Sequence, residues 1–159
     1  MKYVFLIIIF LSLWILGISF NSADKKRIEI CEAYLSFLSF SKREIKFSSK
    51  TVLEIIDKYK ETNEKVFPYF ENCSEPVSLT VSENIKKDKL LKDKQKGLFI
   101  SFFEKFGTSD EENSLSLIDE HKSLFKDYFR GYKEESEKRA GMVIKLSFLL
   151  SAGITILLI

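Results

Sequence analysis

The sequence predicts an all-α protein in which a charged helical bundle is held between two apolar chain ends. Three observations predict it. All 23 Asp and Glu residues of the 159-residue chain lie between Asp24 and Glu137, while the first 20 and last 18 positions carry only Lys2 and Lys145 as charges. Apolar residues of the middle section recur at spacings of three, four and seven, the period of one helix face. Sheet chemistry is missing: there is no Asn-Gly or Asp-Gly pair, and only two prolines, Pro68 and Pro76, interrupt the chain.

The uncharged run Tyr3 to Phe20 would rise about 27 Å as a helix, close to the roughly 30 Å hydrocarbon core of a bilayer. This predicts a transmembrane helix over 3–20. A cleaved secretory signal is the competing reading, with Lys2 at its start and Asn21-Ser22-Ala23 as the cleavage region. The helical section 21–141 follows.

Ile28, Cys31, Tyr34, Leu35, Leu38 and Ile45 predict a first helix over 24–47, with Asp24 as its N-cap. Phe37 and Phe40 fall off that stripe and point to a second contact, either within the domain or to a partner. Thr51 followed by Glu54 is a capping-box signature for a second helix carrying Val52, Leu53, Ile55, Ile56 and Tyr59. Val66, Phe67 and Phe70 predict a third, short helix with Pro68 in its first turn, where a missing amide hydrogen costs little. Asn72 to Pro76 reads as a turn, and 78–91 as a fourth helix with Leu79, Ile85 and Leu90 as its apolar set.

Lys86, Lys87, Lys89, Lys92, Lys94 and Lys96 form a basic run broken by Asp88 and Asp93. It reads as a solvated surface, or as a docking surface for an acidic partner or anionic headgroups. Leu98, Phe99, Phe102, Phe103 and Phe106 stripe a fifth helix ending at Gly107, the residue type favoured just past a helix end. Ser109 or Asp110 then caps a last helix, which keeps its spacing through Leu117, Leu124, Phe125 and Tyr132 toward the second apolar end, with Gly131 and Gly141 as points of bending. Met142 to Ile159 carries one charge, Lys145 near its start, and predicts a second transmembrane helix over 142–159.

Lys25, Lys26 and Arg27 follow the first span and Lys138 and Arg139 precede the second. Both flanks vote for a cytoplasmic middle section. Lys2 and Lys145 apart, 23 basic side chains stand against 23 acidic ones, which argues against a nucleic-acid surface. Cys31 and Cys73 are expected to be free thiols. His121, the sole histidine, lies on the apolar side of the last helix and is expected to be structural. No phosphate-cradling glycine loop, nucleophile elbow or HExxH sequence occurs. These features predict neither an enzyme nor a bound cofactor, metal or small-molecule substrate.

The segment LFISFFEKFGTSD, the amphipathic helix after it and the ending KRAGMVIKLSFLLSAGITILLI resemble stage III sporulation protein AB of endospore-forming bacteria. The residues that carry the resemblance are Phe102, Phe106, Gly107, Ser109, Asp110, Met142 and Leu146. The family's usual leucine-glycine before the turn is Phe106-Gly107 here, its glutamine after the turn is replaced by Asn113-Ser114, and glycines usual in the last span stand as Ser147 and Ser151.

The resemblance implies a small cytoplasmic helical domain similar to the platform proteins of type II secretion and type IV pilus machines. It also implies a non-catalytic role in the mother-cell membrane around the forespore, coupling a cytoplasmic ATPase like stage III sporulation protein AA to the other membrane proteins of a channel complex. Phe37, Phe40, Lys86, Lys87 and Lys89 are the expected partner contacts. The rival readings are an unrelated two-anchor adaptor or signalling protein, and a secreted helical domain with its signal removed and a C-terminal tail anchor.

Overall fold

The computed structural model describes residues 7, 8, 10–12, 15, 22–48, 50–108 and 110–157. Every regular element among the described residues is a helix: α1 (Ser22–Phe47), α2 (Val52–Thr62), a single 3₁₀ turn (Pro68–Phe70), α3 (Val77–Lys87), α4 (Asp93–Lys105) and α5 (Glu111–Leu157). The chain divides into two compact units, Arg27–Phe129 and Met1–Lys26 with Arg130–Ile159.

In the unit Arg27–Phe129 the core is aromatic. Tyr34 on α1 is fully buried, and its ring centroid lies 5.5 Å from Phe67, 4.6 Å from Phe99, 5.8 Å from Phe102 and 4.8 Å from Phe125. One side chain thus ties α1 to the segment before the 3₁₀ turn, to α4 and to α5. Most of these contacts are tilted or edge-to-face, the geometry that sets a ring's positive edge against its neighbour's negative face.

Phe37 and Phe40 belong to the same core and are not surface contacts for a partner, which corrects the expectation for them. Phe37 packs on Tyr59 at 5.3 Å, Phe70 at 4.6 Å and Phe103 at 5.9 Å. Phe40 meets Tyr59 at 5.3 Å and is covered by the Arg43 guanidinium at 5.2 Å. The reason is that α1 is buried from Ile30 to Glu44 over about half its circumference at 100° per residue, because α2 and the 3₁₀ turn cover one flank and α4 and α5 the other.

Thr51 caps α2 with the predicted reciprocal bonds: the Glu54 amide donates to Thr51 Oγ1 at 3.3 Å, and the Thr51 amide donates to the Glu54 carboxylate at 2.7 Å. Pro68 opens the 3₁₀ turn as predicted. The Glu75–Pro76 bond is cis.

Two expected boundaries shift. α3 stops at Lys87 rather than Leu91, because the Asp88 carboxylate turns back to accept from the amides of Leu90 and Leu91 and from the Tyr69 hydroxyl at 2.6 Å. Leu79, expected on the inner face of that helix, is 63% exposed, and Val81 and Ile85 fill the inner positions. α1 starts by Ser22, so Asp24 stands in its first turn and not at its cap. Gly131 and Gly141 do not interrupt α5.

In the unit formed by Met1–Lys26 and Arg130–Ile159, Asp24 accepts hydrogen bonds from the Tyr132 hydroxyl at 2.9 Å and the Ser136 hydroxyl at 3.2 Å. Phe10 packs edge-on against Phe148 at 5.9 Å. Among the described residues no helix is long and apolar enough to cross a membrane. The expected span 3–20 lies largely outside the described residues, and so do the last two positions of 142–159.

The Tyr34 hydroxyl is buried without a hydrogen-bond partner, so its ring and its oxygen oppose each other energetically. Tyr34→Phe is expected to hold or raise the denaturation midpoint of the purified chain, since it removes an unpaired polar group that costs about 1–3 kcal/mol. Tyr34→Ala is expected to cost about 3–5 kcal/mol. Equal losses in the two variants would show that the hydroxyl has a partner.

Candidate functional site

Three helices begin at one end of the unit Arg27–Phe129. The starts of α2 at Thr51–Val52, α3 at Pro76–Val77 and α5 at Asp110–Glu111 meet the end of α4 at Phe106–Gly107. Gly107 makes this meeting possible. Its φ is +92°, and a Cβ there would lie 2.5 Å from Val52 Cγ2. Only glycine combines that backbone with that approach. Phe106 and Phe102 lie stacked beneath the turn at 4.8 Å, both buried. Asp110 restarts the chain by accepting the Asn113 amide at 2.9 Å, the bond of an N-cap.

Two grooves flank Gly107. One, of about 310 Å³, runs between Ile45, Val52, Ile55, Phe106 and Glu111. The other, of about 620 Å³, runs between Leu53, Pro76, Val77 and Thr108. Close by, Phe47 at the end of α1 is 78% exposed, and Leu79 sits on the first turn of α3. Under the first groove, Glu44 is nearly buried and is held by Lys58 at 2.7 Å and Lys50 at 3.3 Å. The hydrogen bond from Lys58, helped by Lys50, keeps its carboxyl below the usual carboxylate range.

The titratable groups elsewhere are tuned for packing. Burial pushes the Cys31 thiol up to about 12, and the Gln95 amide donates to its sulfur at 3.6 Å. Burial raises the Cys73 thiol as well. Both cysteines are free, and neither is activated toward nucleophilic chemistry. His121 is buried with its ring 5.3 Å from Phe102, and burial holds its pKa below the ordinary histidine value. Among the described residues no group of three or more His, Cys, Asp or Glu side chains could hold a metal ion.

The residues singled out from the sequence fall in several places. Phe102, Phe106, Gly107 and Asp110 build the turn, and Ser109 lies outside the described residues. Met142 and Leu146 belong to the other unit, where they are 57% and 59% exposed. Lys86 and Lys87 are exposed on the last turn of α3, and Lys89 on the connection to α4. Val52, Leu53, Pro76 and Phe47 were not anticipated as surface features. The signal that could have found them is the adjacency of each to a helix end, where an apolar residue has no facing turn to cover it.

A family model described as stage III sporulation protein AB matches residues 2–159. Comparison with curated proteins and with solved structures finds no match.

Gly107→Ala is expected to destabilise the purified chain by about 1–3 kcal/mol through the left-handed backbone alone, with the contact at Val52 adding to the loss. Val52→Ala in the same chain should recover only the added part, as read by denaturation midpoints. For His121, a depressed folded-state pKa means that the unfolded chain takes up the proton first as pH falls, so stability is lost below the ordinary value of about 6.5. The midpoint of the native chain should therefore fall more steeply between pH 7 and 5.5 than that of His121→Gln. Parallel curves would assign the loss to other groups.

Proposed function

The chain belongs to the stage III sporulation protein AB family, a family of sporulation assembly proteins and not a known enzyme family, and from that premise we propose that it is a non-catalytic, membrane-anchored assembly component of the mother cell–forespore channel complex. In this reading both apolar ends hold the chain in the mother-cell membrane around the forespore, and the unit Arg27–Phe129 faces the cytoplasm. There it couples a cytoplasmic ATPase, of the stage III sporulation protein AA kind, to the membrane apparatus.

One observation carries the membrane part. The helical ends of the chain expose their large apolar side chains: Ile7, Ile8 and Ile15 near the start, and Leu146, Leu149 and Leu150 on α5, are 57–65% exposed. A contiguous apolar surface of this kind is costly in water and marks contact with lipid or with another chain. The described stretch 142–157 would rise about 24 Å along α5, and the sequence stays apolar through Leu158 and Ile159. The basic flanks Lys25–Arg27 and Lys138–Arg139 favour a cytoplasmic unit between the spans.

The coupling part is supported by the Gly107 end. With Phe37 and Phe40 buried, the exposed apolar residues of the unit Arg27–Phe129 are Phe47, Leu79 and Leu124, and the first two lie beside the grooves. That end is the better surface for the ATPase.

Affinity isolation of the chain from detergent-solubilised sporulating cells tests both parts. The expected outcome is co-purification of the ATPase and of further membrane proteins of the complex, reduced at least about tenfold in a Phe47→Ser, Leu79→Ser variant, the scale of a lost interface anchor, with the denaturation midpoint unchanged. Recovery of the intact chain from the water-soluble fraction without detergent would end the membrane reading. Undiminished ATPase capture by the double variant would remove the Gly107 end as its contact.

A further inference from the structure

Contacts at two levels join the two segments of the unit Met1–Lys26 with Arg130–Ile159. At one level the Asp24 carboxylate accepts from the Tyr132 and Ser136 hydroxyls, at 2.9 and 3.2 Å. At the other the Phe10 ring stands edge-on to Phe148 at 5.9 Å. The two levels agree in register. Phe10 precedes Asp24 by fourteen positions, and Phe148 follows the midpoint of Tyr132 and Ser136 by fourteen. Equal spacing in opposite chain directions is what two antiparallel helices give, here over about 21 Å at 1.5 Å per residue. Residues 7, 8, 10–12 and 15 of the first run are helical, as is α5 along this stretch.

Burial along α5 follows the same line. Ser136 and Ser151 are buried, and Val143 and Ser147 are half-buried, whereas Leu146, Leu149 and Leu150 are 59–65% exposed. Ser147 and Ser151 donate to the Val143 and Phe148 carbonyls of their own helix at 2.8 and 2.9 Å, so neither hydroxyl proton is left unmet. Small residues of this kind let helix backbones approach closely inside a bilayer, where packing and hydrogen bonds drive association.

We infer that the first apolar run is the lasting partner of the last one: the two cross the bilayer as one antiparallel pair, and Asp24 is the clamp that sets its register. The inference rests on the membrane-anchored reading above and deepens it, since two separate anchors become a single membrane unit. A carboxylate suits this place. Asp24 stands four positions past Phe20, the end of the apolar run, and an ionised acceptor strengthens each bond that it receives. Ser22 and Ala23, in the candidate cleavage region, are helical, whereas a processing peptidase grips the residues before its cut in extended form. The first run therefore stays with the chain.

The test places p-benzoylphenylalanine at Phe10 of the full chain, in membranes of the cells that express it, and maps the photo-adduct by mass. The expected product is a single chain joined within a turn of Phe148. Its yield should fall at least about threefold in Asp24→Ala and in the double variant Tyr132→Phe, Ser136→Ala, the scale of one interhelical bond in a membrane. Adducts on lipid alone overturn the pair and leave two separate anchors. Joining to a second copy gives a product of twice the mass, which assigns this face of α5 to self-association and overturns the pairing within one chain. Unchanged yield in both clamp variants overturns the role of Asp24. An intact mass that begins at Asp24 shows the first run removed and overturns the pair. Recovery of the chain from the water-soluble fraction overturns the anchored reading and this inference with it.

Discussion

The packing of Tyr34 against phenylalanines from three other parts of the chain is the contact on which the unit Arg27–Phe129 depends. The middle section is rich in charge and exposes much of it, so few residues are left to drive burial. Large rings solve that shortage, since each removes more apolar surface from water than an aliphatic side chain and gains a further 0.5 to 1.5 kcal/mol, roughly, per well-oriented aromatic pair. The arrangement tolerates an unpaired hydroxyl at its centre because the ring gains more than the oxygen loses.

A core centred on α1 leaves the helix ends free to specialise. At Gly107 the positive φ and the close approach of Val52 bring together the starts of three helices, and the space between them stays open as grooves. At Arg27 the opposite holds. The connection between α3 and α4 is fastened down by Arg27, Tyr69 and Tyr128, and what it offers outward is charge. The two ends of α1 thus differ in kind, one bordered by grooves and the other by a lysine-rich connection.

Helix content and most helix starts were legible because they are written locally: Thr51 with Glu54, Pro68, Gly107 and Asp110 each act within a few residues of themselves. Misreadings arose where a distant partner decides. Phe37 and Phe40 lie off the main stripe of α1, and nothing local distinguishes a second intramolecular face from an outer one; α2, Phe70 and Phe103 settle it. Leu79 fits the spacing of an inner position, yet Val81 and Ile85 take that face. Asp88 ends α3 through Tyr69, nineteen residues earlier, a bond that no local pattern predicts. Glu44 was readable in principle, because it follows Phe40 by four positions and Phe37 by seven, which places a carboxylate on a buried stripe and calls for the cations that Lys50 and Lys58 provide.

The acids near the chain's passage between its units follow one rule. Asp24, just after the first apolar run, is drawn onto the hydroxyls of Tyr132 and Ser136, and Asp88, in the lysine connection, onto the hydroxyl of Tyr69. In each case a phenol orients a carboxylate toward protein, where it meets a fixed dipole instead of the solvent. Lys25 and Lys26 beside Asp24, and Lys87 and Lys89 beside Asp88, remain exposed. Counting charges along the sequence would cancel these lysines against their neighbours. Directing the carboxylates inward leaves their charge in place, so what the hydrogen bonds decide is where the negative charge stands, with the lysines outermost.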